Sequence, residues 1–97
     1  MRSTFPALVL VALHVGIRLG DGFLRAQAEV VRNGQVSDHE LLFRNRSLRL
    51  VRLAHTGAGD VWVVGDLPET AVSAPELDRL LGLLVAAAID VRQRASR

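Results

Sequence analysis

Apolar residues recur at every second position from Ala7 to Leu19, where Ala7, Val9, Val11, Leu13, Val15, Ile17 and Leu19 share one side of an extended chain. Period-two alternation predicts a β-strand, because successive side chains leave opposite faces of the backbone. The other side opens with Leu8, Leu10 and Ala12 and turns polar at His14, Gly16 and Arg18, the pattern of an inner strand buried on both faces over its first half. Gly20-Asp21-Gly22 supplies the positive-φ positions of a tight turn, and Phe23 to Val31 alternates again. Leu24, Ala26, Ala28 and Val30 then face a core, and Arg25, Gln27 and Glu29 face out.

Asn33-Gly34 breaks this pattern, and Ser37-Asp38-His39-Glu40 has the form of a capping box: a serine hydroxyl and a glutamate three residues apart, each able to satisfy a free backbone N–H. A short helix carrying Leu41, Leu42 and Phe43 runs from it to about Ser47. Arg49 to His55 and Asp60 to Leu67 read as two strands joined by the loop Thr56-Gly57-Ala58-Gly59. In the second of them Val61, Val63 and Gly65 alternate with Trp62 and Val64.

Ser73-Ala74-Pro75-Glu76 is a second capping box, with proline in the first turn where its missing N–H costs little. Beyond it Leu77, Leu80, Leu81, Leu84, Ala88 and Val91 trace one face of a long helix. Gly82, Val85, Ala86 and Ile89 form a second stripe beside the first. Two placements are open for it: a wide buried face within one core, or an interface with a second subunit. Arg92, Arg94 and Arg97 suit the negative end of the helix dipole.

The predicted order is hairpin, short helix, hairpin, long helix. This is an α+β fold in which the helices cover one face of a mainly antiparallel sheet of about four strands. Residues 1–97 are read as a single domain, since a chain of 97 residues holds one apolar core.

Charge and cysteine content narrow the chemistry. All 12 basic residues are arginine, and lysine, tyrosine and cysteine are absent. The isoelectric point near 11.0 therefore reflects a gap in titration between His, near about 6.5, and Arg, above about 12, beside a net charge of only +2. Disulfides, thiolate ligands, cysteine nucleophiles and Schiff-base lysines are excluded. The segment from Arg2 to Ala28 fits a signal peptide poorly, because Pro6 heads its apolar run and Arg18, Asp21 and Arg25 precede the Ala26-Gln27-Ala28 triplet. No apolar run reaches the ~18 residues of a membrane span. A cytoplasmic protein without a membrane partner is the expectation.

Dedicated chemistry is hard to find. His14, His39 and His55 lack metal-ligand spacing, and His39 beside Asp38 and Glu40 would point to different sides of a helix, so no metal site and no cofactor is expected. His14 is expected to be partly buried, and His55 to mark a strand end. Ser37 and Ser73 read as caps, not as nucleophiles. Arg44, Arg46, Arg49 and Arg52 raise the rival reading of a small Arg-rich nucleic-acid-binding or regulatory domain. Against it, the path changes from helix to strand within that stretch, and no aromatics are interleaved to stack bases.

The segment Asp60 to Pro68, then Ser73 to Glu76 and Leu77 to Leu84, resembles the YbjN-like family, whose domains are related to type III secretion chaperones. The shared pattern is an aromatic-bearing strand ending in Asp-Leu-Pro, then a helix that opens Ser-x-x-Glu-Leu. Asp21-Gly22-Phe23-Leu24-Arg25 and Leu41-Leu42 with Asn45 fit the same family. Its members usually open with an amphipathic helix, whereas here Met1 stands almost at the first strand. Either the native start lies upstream or a partner covers the sheet that helix would cover. Each uncovered Leu or Val forfeits about 1.5–3 kcal/mol against a total stability of about 5–15 kcal/mol, which favours the partner. The resemblance implies a non-catalytic, homodimeric, chaperone-like module that holds an extended segment of a client protein. Trp62, Phe43, Arg44 and Arg46 are the expected client contacts, and Gly82, Val85, Ala86 and Ile89 the expected dimer interface.

Overall fold

The computed structural model describes residues 13–32 and 34–95. Strands β1 (Val15–Gly20), β2 (Phe23–Val31), β3 (Val51–His55) and β4 (Val61–Pro68) form one antiparallel sheet in the order β1-β2-β4-β3. Helix α1 (Asp38–Asn45) joins the two hairpins, and α2 (Ala74–Ala95) follows a 3-10 turn at Glu69–Ala71. The α+β architecture is the one the periodicity predicts, and the 3-10 turn is an addition to it.

Local chemistry explains the joints. Asp21 and Gly22 both take positive φ, at 54° and 81°, the geometry of a two-residue turn whose twist matches the strands it joins. Ser37 Oγ accepts from Glu40 N at 3.2 Å, and Ser73 Oγ from Glu76 N at 3.3 Å, so both serines cap helices. The reciprocal half of the first capping box is replaced: the Glu40 carboxylate turns forward to Arg44, whose Nε donates to it at 2.6 Å.

The core lies between the sheet and α2. Leu80 and Leu84 sit fully buried over β2, β4 and β3, against Ala26, Ala28, Val61 and Val63, and Leu41 joins them from α1. Small residues at the sheet centre bring the helix close. A Cβ built on Gly65 would stand 2.6 Å from Leu80 Cδ1 and 2.9 Å from Val51 Cγ1. Leu77 and Leu81 pack at the margin of this core and are only partly buried.

Several expectations are corrected. β1 is an edge strand, not an inner one. Its register pairs Ile17 with Ala26 and Leu19 with Leu24, so both face the helix side, yet they are 51% and 58% exposed. The reason is that α2 lies over the other three strands. The part of the predicted strand from Ala7 to Ala12 falls outside the described residues. His14 is exposed, not partly buried. The stripe Gly82, Val85, Ala86 and Ile89 is also exposed, so the wide buried face is not what forms.

Arg92 does not serve mainly as a dipole cap. The β2 register shifts between Glu29 and Val31, and at this bulge Arg92 Nε donates to the Val30 carbonyl at 2.7 Å and Nη2 to that of Glu29 at 3.3 Å. A bulge leaves backbone groups outside the ladder, and the guanidinium fork satisfies two of them. Arg92→Met should therefore lower stability by about 1 kcal/mol, read as a lower urea midpoint, with the fastest gain in amide exchange around Val30.

Candidate functional site

Asp38 faces His55 (3.4 Å to Nε2), Glu40 pairs with Arg44, and His39 is exposed, so the predicted divergence of these neighbours is what the geometry shows. Among the described residues no three His, Asp or Glu side chains come together as a metal-holding group. The residues that stand out are instead surface ones, on three patches.

The first is the sheet face opposite α2. Register places Arg18 with Arg25, Arg25 with Asp66, Gln27 with Val64, and Trp62 with Ala54 on this face, and no described helix covers it. Trp62 is half-buried there. It lines a shallow depression of about 260 Å³ with Gln27, Ala54, His55, Thr56 and Val64. Toward the other end, Asp66 accepts from Arg25 Nε at 2.7 Å and from Arg52 Nη2 at 3.2 Å. The hydrogen bond from Arg25 is the main cause that holds the Asp66 carboxyl below the usual carboxylate range, against the opposing effect of its partial burial. Arg25 is correspondingly raised. A second cleft, of about 270 Å³, lies beside this pair and is lined by Arg18, Gly20, Asp21 and Phe23 as well.

A depressed carboxylate pKa stabilises the fold above the unfolded value, about 3.9, and that contribution disappears as pH falls through the lower folded value. Asp66→Asn should thus be less stable than the parent at pH 7, and the gap should close below about pH 4. Paired urea titrations across pH 2–7 would check it.

The second patch is the outer flank of α2, where Val85 and Ile89 are 38% and 51% exposed beside Gly82 and Ala86. The third is α1. Leu42 and Phe43 are 71% and 53% exposed, and the Phe43 ring has the guanidinium carbons of Arg44 and Arg46 at 5.6 and 5.8 Å. Arg44 also reaches Asp90 of α2 at 4.0 Å, so the α1 patch adjoins the far end of the α2 flank. Phe43, Arg44 and Arg46 thus lie together on and beside α1. Trp62 stands apart from them on the opposite side of the sheet.

Of the four arginines of the rival reading, Arg44, which pairs with Glu40, and Arg46 both flank Phe43, Arg49 is exposed, and Arg52 is held at Asp66 on the open face.

No protein-family model matches the sequence, and no curated protein sequence matches it either. Solved structures do match. The chain superposes on a chain of the heterodimeric ExoU-SpcU complex from the type III secretion system of Pseudomonas aeruginosa with a TM-score of 0.70 at 14% identity, over 88% of this chain and 76% of that one. It matches the HopA1-SchA chaperone-effector complex at 0.66 and 15% identity, over 84% and 66%, and the ExsC-ExsE complex at 0.62 and 14%, over 81% and 74%. This chain shares its fold with a chain of each of these complexes. At this identity the likeness shows the fold alone, and no family match supports the YbjN-like resemblance.

Two features escaped the sequence reading. Asn45 donates from Nδ2 to the Leu53 carbonyl at 3.0 Å and accepts from Leu53 N at 2.7 Å, tying the outer edge of β3. The Arg25–Asp66–Arg52 cluster joins residues far apart in the chain. Alternation shows that Arg25 faces outward, but only the strand order brings Asp66 beside it.

Proposed function

We propose that this chain is a non-catalytic, chaperone-like module that acts as a homodimer and holds a segment of a client protein. The observation that carries the proposal is the apolar flank of α2, formed by the fold and left outside its own core. Val85 and Ile89 on α2 are apolar and exposed, a surface that a second copy would bury, with Gly82 and Ala86 letting two helices approach closely. The shared fold supports the reading, since chains having it were solved in protein complexes, the HopA1-SchA chaperone-effector complex among them, and a YbjN-like relationship fits the same role. Trp62, with Phe43, Arg44 and Arg46, supplies the aromatic and arginine contacts on which binding energy concentrates. Asp66, beside a cleft, is held ionised by two arginines and is thereby a weak proton acceptor, which favours binding over catalysis at that point. A cytoplasmic location fits these features, and no helix among the described residues is long and apolar enough to cross a membrane.

Sedimentation equilibrium at micromolar concentration tests the proposal. A dimer is expected, converted to monomer by Ile89→Arg with the far-UV circular dichroism unchanged. A monomeric parent would overturn the homodimer. Steeply salt-dependent binding of a generic oligonucleotide would instead promote the nucleic-acid reading.

A further inference from the structure

The open face of the sheet is notched where the β1–β2 hairpin ends. Gly20 stands across the register from Phe23, so a ring that is 51% exposed has beside it a residue with no side chain, and a Cβ built on Gly20 meets nothing within 4 Å. The next row on this face runs Arg18, Arg25, Asp66. Like charges directly opposite on a sheet repel, and this row holds a single counter-charge. Asp66 is shared by Arg25 and Arg52, so the exposed Arg18 has no ion-pair partner among the described residues. Arg25 meets Asp66 edge-on through Nε and Nη2, at 2.7 and 3.2 Å, which leaves its Nη1 without a hydrogen bond among the described residues. These side chains bound the cleft of about 270 Å³, and Asp21 closes its turn end. The cleft is therefore graded in charge: a carboxylate at the hairpin tip, a ring in the middle, two guanidiniums on the strands. The depression at Trp62 differs, because no arginine lines it.

We propose that this cleft binds a small aromatic phosphate, its ring against Phe23 over Gly20 and its phosphate between Arg18 and Arg25 Nη1. The site stands apart from the dimer and client readings and needs neither. A phosphate monoester presents three acceptor oxygens to donors that arrive from two strands, and its charge relieves the like-charge pair. Arg18 and Phe23 are diagonal neighbours, about 7–8 Å apart at the backbone, a spacing that the length of an arginine bridges. Asp21 sets the direction: the anionic group belongs at the arginine end, and a ligand negative at both ends is disfavoured.

Phenyl phosphate, titrated into the full chain in a phosphate-free, low-salt buffer and followed by two-dimensional NMR of backbone and arginine Nε–H groups, tests this. Saturable shifts are expected at Arg18, Gly20, Phe23 and Arg25, and inorganic phosphate should bind the same place about fivefold more weakly for want of the ring. 4-Carboxyphenyl phosphate should also bind more weakly than phenyl phosphate, since its carboxylate meets Asp21. Arg18→Gln, at an exposed position, should weaken phenyl phosphate about tenfold. Arg79→Gln removes the same charge from α2, on the covered side of the sheet, and should leave binding unchanged. Phe23→Leu should erase the advantage of phenyl phosphate over inorganic phosphate. Equal losses in Arg18→Gln and Arg79→Gln, or shifts spread over every arginine without saturation, would reveal general charge attraction and overturn the site. Phenyl phosphate that binds no better than inorganic phosphate, or does not bind at millimolar concentration, would overturn it as well, and the dimer would still be judged separately by sedimentation.

Discussion

Leu80→Ala should remove about 2–5 kcal/mol of stability, the range for a leucine truncated in a packed interior. Leu80 is fully buried at the point where α2 comes nearest the sheet, and its neighbours are poorly placed to fill the space. Ala26, Ala28 and Gly65 beneath it have little or no side chain to move, and strand pairing fixes their backbones. The cost therefore belongs toward the upper end of that range. Against a total of about 5–15 kcal/mol it is a large share. Urea unfolding at fixed protein concentration is the measurement, with a lower midpoint and an unchanged slope as the expected result.

Gly65→Ala attacks the same contact from the other side and should cost about 1–3 kcal/mol through overpacking. The added methyl would stand 2.6 Å from Leu80 Cδ1, 2.9 Å from Val51 Cγ1 and 3.2 Å from the Leu50 carbonyl oxygen. The leucine can rotate away, but the Leu50 carbonyl belongs to the backbone and yields little. The double variant Gly65→Ala, Leu80→Ala should for this reason be less damaged than the sum of the two single changes, yet short of full rescue. A strictly additive result would show that the helix shifts as a body.

The order of elements, both serine caps and both hairpin loops were legible because each rests on local chemistry: a side-chain oxygen three residues from a free N–H, or glycine where φ is positive. The exposed flank of α2 was legible as one of two alternatives, since a helix with two apolar stripes exceeds what one sheet can cover. What alternation could not reveal was coverage. Ile17 and Leu19 carry the same signal as Val61 and Val63, and only the strand order, with α2 set over β2, β4 and β3, decides which pair is sheltered. The same limit hid Arg92, whose place at the helix end suggested a dipole role until the β2 bulge put two carbonyls within its reach. Of the expected contact residues, Phe43, Arg44 and Arg46 are grouped by being on one short helix, whereas the separation of Trp62 from them is a property of the sheet's two faces.

The lock that Asn45 places on one margin of the sheet has a consequence for self-assembly. Fibrils propagate when every added unit exposes a fresh template identical to the one it has just occupied. Among the described residues the β3 border is tied at Leu53 and that of β1 is not, so a molecule that pairs at β1 presents a poorer template to the next, and crowding should yield discrete complexes in place of endless ribbons.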